Sequence, residues 1–178
     1  MNYKNTLTII GEDEEVVSVR KSIRSKTNFG ELPKYIDFNN IIEMPIGLNL
    51  EYNTESDIAR QLLFGESFYY EGYSRKQAWQ EIATFTRKDQ NKSILSAIQI
   101  QENIRNTGHA FSHVWKRENW GTERNAYSQV IESPNVISFY TDNAPATKVV
   151  DALKLKFPTV SFDHKIEEDD EAGDDLPF

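Results

Sequence analysis

The strand-like segments of this 178-residue chain lie near its two ends, and a long helical stretch separates them. Alternation of apolar and polar residues predicts strands over residues 5–11, 35–44, 136–141 and 159–164. Helical patterns with one apolar face join each pair, over 12–26 and 146–157. Two such strand–helix–strand units predict an α+β fold of the ferredoxin-like type, in which helices cover one face of an antiparallel sheet.

The middle of the chain, 54–106, has helical patterns throughout, and more than fifty helical residues are too many for a simple crossover. We therefore predict a single domain over 1–166 with a helical insertion at about 50–106. Residues 167–178 are predicted to be an acidic tail, because 167–175 carry seven acids and no base. The whole chain has a formal net charge of −8, so the part outside this acidic segment is nearly neutral. This charge distribution excludes both a strongly basic nucleic-acid binder and a polyanion mimic.

Composition also bears on the compartment. Cysteine is absent, which excludes disulfides and thiolate metal sites and fits a reducing cytoplasm. No apolar run approaches the length of a membrane-spanning helix, and the first fifteen residues lack the pattern of a signal peptide. We expect a cytoplasmic protein that has no membrane partner.

Aromatic residues concentrate in the segment 107–127, TGHAFSHVWKRENWGTERNAY. It predicts a helix over 108–118. Three apolar residues at the spacing of one helical face predict its buried side: Phe111, Val114 and Trp115. Trp120-Gly121 ends the helix, with Gly121 suited to the left-handed conformation that often follows a helix.

Four short segments carry a resemblance to a known family. They are N-T-L-T-I-I-G (5–11), I-D-F-N-N-I-I-E-M-P (36–45), N-W-G-T-x-x-N-A-Y (119–127) and I-S-F-Y-T (137–141). They resemble the ferredoxin-like phage and plasmid proteins of the YubB type, of which the segment at 119–127 is the most specific signature. The chain departs from that pattern at Glu123 and Arg124, where the family commonly has a base and an aromatic residue.

The resemblance implies a mobile-element accessory protein that acts in the cytoplasm of a bacterial host. It suggests kinship with proteins that inhibit Cas9-type CRISPR systems, so the expected partner is a host defence ribonucleoprotein, Cas9 and/or its guide RNA. The word ferredoxin refers to the fold alone, because an iron–sulfur cluster needs cysteines. We predict no cofactor and no metal site.

A catalytic alternative uses the two residues that depart from the pattern. Glu123 could take a proton from a ribose 2′-hydroxyl, Arg124 could hold the phosphate, and a histidine, His109 or His113, could protonate the leaving oxygen. The histidines have the i, i+4 spacing of one helix face, but no third metal ligand is obvious. The simpler interpretation makes Glu123 and Arg124 an exposed turn pair and the histidines ordinary polar positions.

Candidate RNA- or partner-binding residues are mostly basic. They are Arg20, Lys21, Arg24, Arg87, Lys88, Lys92, Lys116, Arg117 and Trp120. The bases at 20–24 also suit a helix C-terminus, and Trp120 also suits the core. Phe139 and Tyr140 point to opposite faces of their strand, so at most one can stack on a base.

Three functions therefore remain open. The leading one is an anti-CRISPR protein that binds a Cas9–guide RNA complex. The second is an RNase or RNA-processing protein that truncates guide RNA, and the third is a non-catalytic phage structural or regulatory protein. The sequence leaves the oligomeric state open, a homodimer included.

Overall fold

A computed structural model of the protein describes residues 1–25, 34–70 and 72–169. Its strands are β1 (Asn2–Ile10), β2 (Tyr127–Ser133), β3 (Val136–Asp142) and β4 (Ser161–Asp169). Its α-helices are α1 (Asp13–Ile23), α2 (Thr54–Phe64), α3 (Arg75–Ile82), α4 (Arg87–Thr107), α5 (Ser112–Asn119) and α6 (Thr147–Lys156). Short 3-10 turns cover Phe38–Asn40 and Ile46–Leu48. The chain forms two compact units, a sheet unit of residues 1–44 and 115–178 and a helical unit of residues 45–114.

The sheet unit contains one four-stranded sheet with the order β2-β3-β1-β4. Every neighbouring pair is antiparallel, and Leu7 of β1 lies opposite Ile137 of β3 on one side and His164 of β4 on the other. The predicted α+β class with an antiparallel sheet is confirmed, and the sheet is compatible with a ferredoxin-like fold. The chain does not, however, form two simple strand–helix–strand units, because α1 is separated from β2 by the whole helical unit.

The strand predicted over 35–44 is wrong. Ile36 and Phe38 are fully buried, which explains the apolar alternation, but the Ile36 backbone groups and the Phe38 N–H bond to side chains and not to a neighbouring strand. The Gln129 amide donates to the Ile36 carbonyl and accepts from its N–H, both at 2.9 Å. Asn125 accepts the Phe38 N–H at 2.9 Å. The second strand of the sheet along the chain is instead β2, which the sequence pattern did not reveal.

The core of the sheet unit lies on one face of the sheet. Alternate β1 side chains, those of Asn5, Leu7 and Ile9, are buried, as the period of two in a strand requires. The buried faces of the two flanking helices are Val16, Val19 and Ile23 in α1 and Val149, Val150 and Leu153 in α6. The other sheet face carries the remaining β1 residues and is partly open to solvent.

The helical unit has a separate core between α2, α3 and α4. Its buried members are Ile58, Ala59, Ala78, Ile82 and Ala97. The N-terminus of α3 has the predicted Ser74 cap, where Ser74 and Gln77 bond to each other's backbone as a capping box. Among the described residues, no helix combines the length and apolar character needed to cross a membrane.

The acidic end of the chain is partly strand. Glu167, Glu168 and Asp169 belong to β4 and lie opposite Lys4, Tyr3 and Asn2 of β1. The rest of the predicted tail, 170–178, lies outside the described residues.

Candidate nucleic-acid interface

The segment after α5 is anchored by Trp120. Its indole N–H donates to the Ile42 carbonyl at 2.9 Å, and its ring meets those of Phe38 and Trp115 edge to face at 5.8 and 5.9 Å. Gly121 follows with φ +84°, the left-handed conformation that the sequence predicted. Trp120 is only 3% exposed, so the structure gives it a core position and not that of a surface anchor.

The preceding helix differs from its prediction. It begins at Ser112 rather than at residue 108, because Gly108 has a positive φ of 77° and ends α4. Phe111 and Trp115 are buried as predicted, but Val114 is 39% exposed and does not belong to the core.

The two residues that depart from the family pattern each form an ion pair. Glu123 accepts from the Arg117 guanidinium at 2.5 Å, on the surface. Arg124 pairs with the Asp142 carboxylate, and its guanidinium lies 5.3 Å from the centre of the Tyr127 ring. Glu123 and Arg124, which the catalytic alternative uses together, therefore take part in two different ion pairs.

The two candidate histidines belong to the helical unit, whereas Glu123 and Arg124 belong to the sheet unit. His109 precedes α5, with Nδ1 2.6 Å from the Thr107 carbonyl, and His113 lies within α5 and stacks on Phe111 at 6.0 Å. The expectation that both histidines share one helix face is therefore wrong. Within the part of the chain that the structure describes, no three acidic or histidine side chains form a potential metal site.

The predicted basic residues fall into three groups. Arg20, Lys21 and Arg24 line one cavity of about 320 Å³ on α1. Arg87, Lys88 and Lys92 lie in the first two turns of α4, where Lys92 shares a cavity with Glu55 and Asp89. Lys116 and Arg117 end α5, with the Lys116 ammonium 5.6 Å from the Trp120 ring centre.

The open face of the sheet carries an aromatic pair. Tyr127 of β2 lies opposite Tyr140 of β3, with ring centres 6.0 Å apart and planes inclined by 31°. Phe139 is fully buried on the other face, so the prediction that only one of the two β3 aromatics faces outward holds. Tyr127 donates to Asn2 and Tyr140 to Asp169, both at 3.1 Å, which fixes the two rings.

Arg124, Tyr127, Tyr140 and Asp142 together form what we call the sheet-face cluster. The sequence analysis did not single out Tyr127 or Asp142 as site residues. Tyr127 is the last residue of the signature N-A-Y, which was the available signal, but its role depends on β2.

Burial and hydrogen bonds shift the pKa values of the ionisable groups in the sheet-face cluster. Burial raises the pKa of Tyr127 to about 12, and the neighbouring Asp142 carboxylate adds to the effect. Burial alone would raise the pKa of Asp142, but hydrogen bonding to Arg124 and Tyr127 outweighs it and leaves that pKa below its usual value. The hydrogen bond to Asp142 raises the pKa of Arg124. At neutral pH the cluster thus holds one ion pair and two neutral phenols.

A pH titration should reveal the raised pKa of the half-buried Tyr127 phenol. Since Tyr127 has a folded pKa of about 12 against a usual 10, its contribution to stability is present below pH 10 and is lost as pH rises toward 12. Tyr127→Phe should remove one phenolate from the ultraviolet titration near pH 12 and should flatten the fall in melting temperature over this range. A difference titration between the two proteins with a midpoint near pH 10 would contradict the partial burial of Tyr127 and its contact with Asp142.

Comparison with known proteins adds no relative. No protein-family model, curated protein or solved structure matches the chain. Function must therefore be inferred from the chain's own residues and their arrangement.

Proposed function

We propose that the protein is a mobile-element accessory protein that counters host defence by binding a Cas9–guide RNA complex. The observation that carries the binding site is the pair Tyr127 and Tyr140, which lie side by side on the open sheet face with the Arg124 guanidinium next to them. RNA-recognition modules, which also have a four-stranded α+β sheet, bind RNA by stacking bases on aromatic residues of the sheet face. The choice of Cas9 among ribonucleoproteins rests on the sequence resemblance.

The charges around the cluster favour stacking over phosphate attraction. Asp142 already neutralises Arg124, and Asp169 accepts from the Tyr140 hydroxyl. A base stacked on an aromatic side chain contributes about 1–3 kcal/mol, largely without regard to sequence. We therefore expect the cluster to bind unpaired bases, with a weaker salt dependence than a phosphate-binding surface.

The ion pairs also favour binding over cleavage. A general base must be able to take a proton, but the Glu123 carboxylate is held by Arg117 at 2.5 Å. Arg124, which would hold the scissile phosphate, is engaged by Asp142. The RNase alternative needs both pairs to open before the reaction.

Replacing both tyrosines with alanine should weaken binding to labelled guide RNA by about tenfold for each ring, because each alanine removes one stacking surface. Tyr127→Phe and Tyr140→Phe should retain binding, since they keep the rings. Tyr69→Ala, which removes an exposed tyrosine from the helical unit, is the matched control and should bind like the unmodified protein. Fluorescence anisotropy with the free guide RNA and gel-shift assays of the Cas9 complex provide the measurements.

Incubation of the protein with Cas9 and labelled guide RNA distinguishes the three proposed functions. If the guide RNA stays intact but the Cas9 complex does not assemble or does not cleave its target, the result supports inhibition by binding. Shortened RNA that disappears in Glu123→Ala supports the RNase. If the guide RNA stays intact and Cas9 remains fully active, both proposals fail and a structural or regulatory phage protein remains.

A further inference from the structure

The exposed face of α1 is basic along its second half. Val17, Arg20, Lys21 and Arg24 follow the i, i+3, i+4, i+7 spacing of one helix face, which lies beside the face that is buried in the core. Three positive charges within two turns repel one another, so their shared side of the helix costs stability unless a negative group meets them. This face is therefore a candidate anion site.

These side chains line a concave surface. The cavity of about 320 Å³ is completed by Tyr35 and by Ile131 of β2, and none of the described residues that line it is acidic. Arg20 is held in place, because its guanidinium donates to the Pro134 carbonyl in the β2–β3 turn at 2.6 Å. The cavity combines cations with an aromatic ring and apolar carbon, and its size is in the range of small-ligand sites.

A separate cavity lies nearer the start of α1. This second cavity, of about 670 Å³, shares Val17 and Arg20 with the first and extends to Ile10 and Gly11 at the end of β1. Asp13 is the acid at its far end, away from Lys21 and Arg24. The positive charge is therefore concentrated in the first cavity, which contains three of the basic side chains of α1 and its end.

The helix dipole does not account for this arrangement. The C-terminal end of a helix carries about half a negative charge, which one or two nearby cations offset. Here Arg20, Lys21 and Arg24 all border one cavity next to a tyrosine. Their combined charge exceeds that of the helix end and leaves the cavity positive.

We propose that this cavity, the α1 cavity, binds a phosphate group, either of a nucleic-acid backbone or of a free nucleotide. Lys21 and Arg24 supply mobile charge, Arg20 supplies a fixed guanidinium edge, and Tyr35 offers a ring for a sugar or base. The site is separate from the sheet-face cluster and does not depend on Cas9 as the target.

Binding is tested on the full chain with three probes, namely fluorescein-labelled single-stranded oligouridine, ATP and inorganic phosphate. The double variant Lys21→Glu/Arg24→Glu should weaken oligouridine binding by at least about tenfold and reduce the slope of log affinity against log salt by about 0.7 for each lost cation. The matched control, Arg75→Glu/Lys76→Glu on α3, makes the same charge change on an exposed Arg-Lys pair of the helical unit and should bind normally. Arg20 is left unchanged because it contacts the β2–β3 turn.

The competitors distinguish the sources of the phosphate. Displacement of oligouridine by ATP identifies a nucleotide site, and resistance to millimolar ATP and phosphate identifies a backbone site; both support the proposal. It is overturned if the Lys21/Arg24 variant binds as tightly as the Arg75/Lys76 control, or if no probe binds. It is also overturned if polyglutamate displaces oligouridine as well as RNA does, which would indicate an acidic protein partner.

Two further proteins keep the result interpretable. If charge reversal prevents folding, as seen by circular dichroism, Lys21→Gln/Arg24→Gln removes the charge without adding repulsion and should weaken binding in the same direction. The Tyr127→Ala/Tyr140→Ala protein should retain the effect of the α1 substitutions, because they act at a different site. The two sets of variants therefore show separately whether the sheet-face cluster binds RNA and whether the α1 cavity binds phosphate.

Discussion

Trp120→Ala should lower the free energy of unfolding of the sheet unit by about 3–5 kcal/mol, the range for deleting a buried large aromatic side chain. The indole fills the space beside Phe38 and Trp115 and donates its N–H to the Ile42 carbonyl. Alanine leaves a cavity and removes that hydrogen bond. The stability of Trp120→Phe should lie between that of the unmodified protein and that of Trp120→Ala, because phenylalanine keeps a ring but lacks the N–H donor.

Trp79→Ala is the matched control. Trp79 is 61% exposed on α3, so its loss should change the free energy of unfolding by no more than about 0.5 kcal/mol. Urea unfolding followed by circular dichroism at the helix band is suitable, since it does not depend on tryptophan emission. Equal urea midpoints for the two alanine variants would show that Trp120 is not in a packed core in solution.

The sequence located the buried aromatic residues better than it located the strands. Period-two alternation reports which side chains are buried, and Ile36 and Phe38 are indeed buried. It does not report which groups satisfy the backbone. Here Gln129 and Asn125, about ninety residues later in the chain, bond to the Ile36 backbone and to the Phe38 N–H. The predicted strand therefore has no strand partner, and Phe38–Asn40 form a 3-10 turn within it.

The strand β2 was missed for the opposite reason. Its sequence, YSQVIES, is rich in polar residues, and its side chains alternate only between half-buried and exposed. Ser128 has a positive φ of 46°, and the pairing with β3 is interrupted by register shifts. An edge strand with one open face gives a weak periodic signal, although its position in the sheet is well defined.

The candidate sites depend on contacts that no local pattern contains. The cations of α1 are visible in the sequence, but Tyr35 and Ile131, which complete their cavity, come from distant segments. The pairing of Tyr127 with Tyr140 follows from the β2–β3 register. The ion pair between Arg124 and Asp142 likewise joins residues eighteen positions apart.

Asp57→Ala should be as damaging to the helical unit as Trp120→Ala is to the sheet unit. Asp57 is 1% exposed and accepts the backbone N–H groups of Phe68 and Tyr69 at 2.8 and 3.0 Å. Its carboxylate lies 3.8 Å from the guanidinium of Arg60, which is 3% exposed. Alanine leaves the two backbone N–H groups without their acceptor and leaves Arg60 with the ion pair to the exposed Glu66. Removing one partner of a buried pair typically costs about 3–5 kcal/mol.

Without Asp57, the buried Arg60 keeps an ion pair only to an exposed carboxylate, that of Glu66, among the described residues. Its Nε and Nη1 atoms are buried without a hydrogen-bond partner among the described residues, and Nη2 reaches Glu66 at 3.3 Å and Gln101 at 3.2 Å. The guanidinium also lies 4.4 Å from the centre of the Phe68 ring. We therefore expect Asp57→Ala to release Phe68 and Tyr69, which hydrogen exchange of their two amides would report. Asp57→Asn keeps an acceptor oxygen and should lose less.

Asp151→Ala provides the control, because Asp151 forms the same i, i+3 pair with Lys154 on the exposed surface of α6 at 3.0 Å. An exposed pair of this kind contributes at most about 1 kcal/mol. The exposed pair is the shorter one, so distance and burial predict opposite orders for the two variants. If Asp151→Ala proves the more destabilising in urea, neither the burial of Asp57 nor the hydrogen bonds that it accepts from two backbone amides makes it important for stability. A much larger loss for Asp57→Ala would show that burial together with the two accepted amide hydrogen bonds, more than the separation of the charges, determines what this carboxylate contributes.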